Sequence, residues 1–167
     1  MTDPTTPADT VAGARPSVLF VCVKNGGKSQ MAAGLMAKRA GDTITVASAG
    51  TKPGSAVNGL SAKSLAEVGV DISHNAPKQV TEELVQAADV VVTLGREAHV
   101  DEVPGTRFEN WDTDEPSTRG IDGIERMRLV RDDITRRVDD LYDRPSRRSQ
   151  GRTGPGRRPT WTAIRGR

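Results

Sequence analysis

Apolar residues in this chain gather into a few short runs set in a polar background. Residues 17–22 hold Val18-Leu19-Phe20-Val21, an unbroken apolar run that predicts a buried strand. Residues 43–48, Thr-Ile-Thr-Val-Ala-Ser, alternate and are β-branched, which predicts a second. Residues 89–94 contain Val90-Val91-Val92, apolar enough for a central strand covered on both faces. Residues 106–111 predict a fourth and shorter one. Between these runs the spacing turns helical. Met31, Leu35 and Met36 recur among alanines, predicting a helix over 29–40 that Gly41 stops. A short helix is expected near 58–69, with Leu60, Leu65, Ala66 and Val68 inward and Gly69 closing it. Thr81 is placed to cap a turn or helix over 81–87. From about Ile124 a stripe of Met127, Val130, Ile134, Val138 and Leu141 predicts a long amphipathic helix. Strands alternating with helices imply an α/β fold: a single domain, a four-stranded parallel sheet with helices on both faces. In such a fold ligands bind at the carboxyl ends of the strands.

Composition narrows this picture. With 167 residues, one domain with a real core is expected. Two Trp, two Phe and one Tyr are too few to dominate that core, so Val, Leu, Ile, Met and Ala must fill it. A single cysteine, Cys22, rules out a disulfide within the chain and fits a reducing compartment. One Cys and two His support no metal cluster, and no bound cofactor is expected. The first residues have neither a basic start nor an apolar stretch, and no run reaches membrane-spanning length, so a cytoplasmic protein with no membrane partner is expected. The net charge of +2 hides an asymmetry. Residues 143–167 carry eight arginines against one acid, leaving 16 basic and 21 acidic side chains elsewhere, a net of −5. Residues 1–16 and 143–167 read as disordered segments flanking a folded domain over 17–142. The Arg/Pro/Gly-rich tail lacks the interleaved aromatics of a base-stacking segment, so nucleic acid is not expected as a partner.

The chemistry concentrates between the first strand and the first helix. Cys22 ends the strand, Val23-Lys24-Asn25-Gly26-Gly27 follow, and Lys28-Ser29 open the helix. Glycines let successive backbone N–H groups curl around an anion. The helix N-terminus adds unpaired N–H groups and partial positive charge, and Lys28 adds a full charge. A thiol in that field is favoured as thiolate, and a thiolate facing an oxyanion is a nucleophile facing an electrophile. A cation is unfavourable at a helix N-terminus unless it has an anion to hold, which marks Lys28 as an anion ligand. Ser29 can cap the helix and also donate to the Cys22 sulfur.

Two loop patterns share this shape. Read back from Lys28-Ser29, the stretch approaches the nucleotide P-loop G-x-x-x-x-G-K-[ST], with Cys22 where the first Gly belongs. Read forward, Cys22-x5-Lys28-Ser29 resembles the phosphate loop of low-molecular-weight tyrosine phosphatases and their arsenate-reductase relatives, whose usual pattern is C-x5-R-[ST]. Lys28 departs from it, and a lysine lacks the planar fork that grips two oxyanion oxygens. The wording Val21-Cys22-Val23-Lys24-Asn25-Gly26-Gly27-Lys28-Ser29-Gln30-Met31-Ala32-Ala33 is similar to the actinobacterial arsenate-mycothiol transferases, which carry lysine there. The resemblance implies a low-molecular-weight phosphatase-like fold over roughly 17–142. It implies Cys22, Lys28 and Ser29 as catalytic residues, residues 23–28 as the oxyanion loop, and Asn25 as its brace. It further implies arsenate as substrate, mycothiol as co-substrate, and a glutaredoxin-like mycoredoxin that reduces the arseno-thiol adduct. Ser48-Ala49-Gly50-Thr51 also resembles the family and is expected to pack beside the loop.

A second region is Trp111-Asp112-Thr113-Asp114-Glu115-Pro116. In relatives it resembles a mobile loop whose Asp-Pro carboxyl protonates the leaving oxygen. Aligned on Pro116, the acid is Glu115, with Asp114 beside it; both stay candidates. Three acids in four positions are expected to raise one another's pKa, as suits a general acid. The competing functions are a phosphatase with a phospho-Cys22 intermediate, a nucleotide-binding P-loop protein and a non-catalytic anion sensor. The missing first Gly, and a strand ending in Leu94-Gly95 rather than an Asp for magnesium, weigh against nucleotide.

Overall fold

A computed structural model describes residues 15–144. The elements, in chain order, are β1 (Ser17–Cys22), α1 (Lys28–Ala40), β2 (Thr45–Gly50), α2 (Gly59–Ala66), α3 (Glu82–Ala87), β3 (Val90–Leu94), β4 (Arg107–Trp111), a 3-10 turn (Pro116–Arg119) and α4 (Gly123–Asp143). The four strands form one parallel sheet in the order β2-β1-β3-β4. This is the expected α/β architecture. The apolar run of β1 makes it central, between β2 and β3, where both faces are covered.

Alternation along the strands divides the core in two. Val18, Phe20, Cys22, Val90, Val92, Leu94 and Trp111 face one side and meet Met31, Leu35 and Met36 of α1, Leu65 of α2, and Val130, Ile134, Val138 and Leu141 of α4. Leu19, Val21, Ala49 and Val91 face the other and meet Val85 of α3 and Ala88. The scarce aromatics meet in the larger core, where the Phe20 and Trp111 ring centroids lie 5.6 Å apart. Thr81 caps α3 as expected, its hydroxyl accepting from the Leu84 amide at 3.2 Å. No helix among the described residues is long and apolar enough to cross a membrane.

Three details depart from the sequence pattern. β2 runs over Thr45–Gly50 rather than 43–48. Its register against β1, from Ser17↔Thr45 to Cys22↔Gly50, overrides the β-branched start and draws in small residues of weak strand preference. In α2, Leu60 and Ala66 are exposed instead of inward, while Ser61, Ser64 and Leu65 are buried. Serines suit a close helix contact, and the Ser64 hydroxyl is satisfied by the Ser61 carbonyl at 2.8 Å. The expected tail also begins too early: Asp143 ends α4 and pairs with Arg39 at 2.8 Å, and Arg144 holds Glu109 at 2.8 Å. The expectations for residues 1–14 and 145–167 lie outside the described residues.

Candidate active site

β1 delivers Cys22 to the carboxyl edge of the sheet, and the chain then wraps from Val23 to Gly27 before α1 begins. What shapes this wrap is the disposal of its carbonyls. Those of Cys22, Val23, Lys24 and Gly26 accept from the amides of Thr51 (3.1 Å), Lys52 (2.8 Å), Gly54 (2.9 Å) and Asn58 (2.6 Å). Asn25's carbonyl accepts from Gln30 Nε2 at 3.1 Å, and Gly27's accepts from the Met31 amide at 2.9 Å. The 50–58 segment must come close to do this. A Cβ at Gly50 would stand 2.6 Å from the Val23 oxygen, so only glycine fits where β2 ends. The expected packing role of Ser48-Ala49-Gly50-Thr51 is met at Gly50 and Thr51.

Asn25 is the hub. It is fully buried and sits at φ 51°, a left-handed conformation that Asn tolerates better than most residues. Its Oδ1 accepts from the Lys78 amide (3.0 Å) and Gln30 Nε2 (3.3 Å), and its Nδ2 donates to Ser29 Oγ at 2.8 Å. That donation directs the Ser29 hydroxyl proton onward to Cys22 Sγ, 2.9 Å away. The Asn25 amide adds a second donor to Sγ at 3.2 Å. The sulfur of a nearly buried cysteine therefore faces two fixed donors, an arrangement suited to carrying negative charge.

Above the sulfur opens a cavity of about 810 Å³, lined by Cys22, Val23 and Lys28 together with Gly95, Arg96, the 112–115 stretch and Arg119. The structure thus joins Cys22 and Lys28 with Asp114 and Glu115. Lys24, Gly26 and Gly27 line an adjoining cavity of about 480 Å³ that Lys28 and Arg126 share. The ammonium of Lys28 pairs with Glu115, whose other oxygen takes Arg126 Nη2 at 3.2 Å.

The acidic loop corrects an expectation. Its carboxylates do not raise one another; each is held below the usual range. The Arg96 guanidinium lowers Asp112, at 2.8 Å, and Arg119 lowers Asp114 through two hydrogen bonds. Burial pushes Glu115 up, but Lys28 and Arg126 together outweigh it. Each acid has a cation nearer than it has a second acid to repel. Asp133 of α4 anchors the loop, its Oδ2 accepting the Asp114 amide at 3.0 Å. Burial raises Asp133, and that amide with Arg136 and Arg137 brings it down overall.

Sequence reasoning missed Gln30, Thr113, Arg119, Arg126 and Asp133. Only Asp133 left a signal: an acid in helical register with the buried stripe of Val130 and Ile134.

A strand-ending cysteine, a wrap whose carbonyls are taken up by neighbouring segments and a helix opening on Lys-Ser sit at the carboxyl edge of a parallel sheet. The family model described as low molecular weight phosphotyrosine protein phosphatase matches residues 17–150, and the chain belongs to that family. Among its relatives, an arsenate reductase of Halalkalibacterium halodurans is 36% identical over 72% of this chain and 91% of its own. Arsenate reductase 1 of Staphylococcus epidermidis is 34% identical over 78% and 98%. The solved thioredoxin-dependent arsenate reductase of Corynebacterium glutamicum superposes with a TM-score of 0.67 at 35% identity. That match covers 79% of this chain but only 62% of the Corynebacterium chain.

Proposed function

We propose that this chain is an arsenate reductase that hands arsenate to an external low-molecular-weight thiol, mycothiol, for later reduction by a mycoredoxin. The observation that carries the reading is the setting of the single cysteine. Cys22 Sγ faces two hydrogen-bond donors at the floor of the cavity, and the sequence holds no second cysteine with which it could close an internal disulfide. Arsenate resemblance comes from the relatives, and the lysine at position 28 sets the chain apart from the C-x5-R phosphatase loop.

In this mechanism the amides of residues 23–28 and the Lys28 ammonium hold the arsenate oxygens. Cys22 sulfur attacks arsenic, and one oxygen leaves as water after taking up protons. The external thiol then displaces Cys22 from arsenic, which stays at the +5 level throughout. The two electrons move only when the mycoredoxin thiolate attacks the sulfur of the adduct. The S–As electron pair then remains on arsenic, releasing arsenite and a mixed disulfide. Lys28 must leave Glu115 to reach the anion. Glu115 then keeps its burial and only Arg126, so its carboxyl rises toward protonation as substrate binds, favouring it over Asp114 as the proton donor.

Arsenate-dependent loss of free thiol groups, set beside para-nitrophenyl phosphate hydrolysis and ATP binding, tests this. Thiol consumption with little hydrolysis and no ATP binding is expected; dominant hydrolysis would make the chain a phosphatase working through phospho-Cys22. Replacing Lys28 by Ala should lower kcat/KM for arsenate by about 10²–10³, the scale of one electrostatic stabiliser. A loss below about tenfold means that Lys28 stays on Glu115 during turnover.

A further inference from the structure

The cations of this chain fall into two groups. Every described arginine from Arg39 to Arg144 has a carboxylate within ion-pair distance. The lysines do not follow. Lys28 holds Glu115, and Lys38 holds the Val68 carbonyl. Among the described residues, nothing pairs with the ammonium of Lys24, Lys52, Lys63 or Lys78.

Three of these four are fastened to the Cys22 loop through their own backbone. Lys24 lies in the loop, and its carbonyl accepts from the Gly54 amide at 2.9 Å. The Lys52 amide donates to the Val23 carbonyl at 2.8 Å, and the Lys78 amide donates to Asn25 Oδ1 at 3.0 Å. All three residues are exposed. The sequence keeps acids away from this flank: residues 16–41, 43–66 and 72–81 contain no Asp or Glu. Across the cavity the balance reverses. Residues 96–119, which supply the opposite wall, hold seven acids against three arginines. An anion approaching Cys22 therefore meets attraction on one side of the mouth and repulsion on the other. Such fields reach about a Debye length, ~10 Å at 0.1 M salt. They concentrate a charged ligand at a cleft and speed its capture by about 10–10³.

We infer that Lys24, Lys52 and Lys78 form an electrostatic rim that recruits the oxyanion substrate to the Cys22 loop. This rests on the oxyanion-capture part of the functional reading. The rim acts on arsenate or phosphate before either touches the loop. It sets how readily the anion is captured and leaves the chemistry to Cys22 and Lys28. A protein footprint takes about 20–30 residues a side, whereas these three cations are tied to one short wrap, the scale of a small anion.

The double variant Lys52→Gln/Lys78→Gln of the full chain tests the rim, since neither residue lines the cavity over Cys22. At ~10 mM ionic strength, its KM for arsenate and its calorimetric Kd for inorganic phosphate should rise about fivefold, the scale of two unit charges acting through water at ~10 Å. Near 1 M sodium chloride, where the Debye length is ~3 Å, the difference should fall below about twofold. The kcat should not move. Lys52→Glu/Lys78→Glu should raise both constants further than the Gln pair, and adding Lys24→Gln to the Gln pair should deepen its loss. Unchanged KM and Kd at low salt overturn the rim. So does a rise that persists at high salt, which marks a structural effect. A KM raised for the mycoredoxin but not for arsenate makes the lysines a protein-docking surface and overturns the rim as well. If phosphate affinity shifts as expected while the wild type consumes no thiol with arsenate, the rim stands and thiol transfer falls.

Discussion

Cys22→Ser should bind arsenate and phosphate about as well as the wild type and turn over at least about 10⁴-fold more slowly, the scale seen when a nucleophile is removed. The proposed reading puts binding and chemistry in different atoms. The wrap of residues 22–27 is held by its carbonyls, four of them bonded to the 51–58 segment and two to Gln30 and Met31, and none of these bonds involves the sulfur. A serine Oγ can also take the two donors that now reach Sγ, from Ser29 and the Asn25 amide. What it cannot do is ionise near neutral pH or leave arsenic readily when a second thiol arrives. Calorimetric titration with phosphate, beside single-turnover assays with arsenate, separates the two properties. Activity within tenfold of wild type would remove Cys22 from the mechanism. Loss of binding together with turnover would mean that the sulfur shapes the loop.

The β1–loop–α1 unit was legible because everything needed to read it is contiguous. The strand's apolar run, the glycines, the cysteine and the helix-opening lysine lie within 17–37, and the structure puts each where its local chemistry sends it. Asn25 was legible only as a turn residue or brace. Its four partners, Ser29, Gln30 and Lys78 among them, make it a buried junction that joins the loop to a segment 53 residues away. The acidic loop misled because adjacency along the chain is not adjacency in space. Asp112, Asp114 and Glu115 sit side by side in sequence, yet each points to a cation from another element: Arg96 from the turn after β3, Arg119 from the 3-10 turn, Lys28 and Arg126 from the first turns of α1 and α4. Paired in this way, close acids lower rather than raise their pKa values. The same limit explains α2, where an apolar count favoured Leu60 and Ala66 but close contact with α1 and α4 chose Ser61 and Ser64.

Thioredoxin, thioredoxin reductase and NADPH alone should give no arsenate reduction, whereas mycothiol with a mycoredoxin should give sustained turnover. Reduction of arsenate to arsenite needs two electrons, and in thiol chemistry these come from two sulfurs that end as a disulfide. The Corynebacterium structure similar to this chain is described as thioredoxin-dependent. A thioredoxin-coupled relay within one chain needs a second cysteine to close the disulfide, and this chain has one. Two copies could supply two thiols only if both sulfurs approached to about 2.05 Å. Each Cys22 is 8% exposed at the floor of its cavity, bonded to Ser29, which prevents such a meeting without unfolding the loop. The second sulfur must therefore arrive on a small thiol or on a partner protein, and the proposed reading takes the first. Leaving out the mycoredoxin should halt the reaction after transfer, and mass spectrometry should then detect a mycothiol–arsenate adduct in solution together with unmodified Cys22. Robust turnover with thioredoxin and no small thiol would overturn the transfer mechanism. The family and the fold would stand, and the search would move to a thiol on the redoxin itself that attacks Cys22-bound arsenic directly.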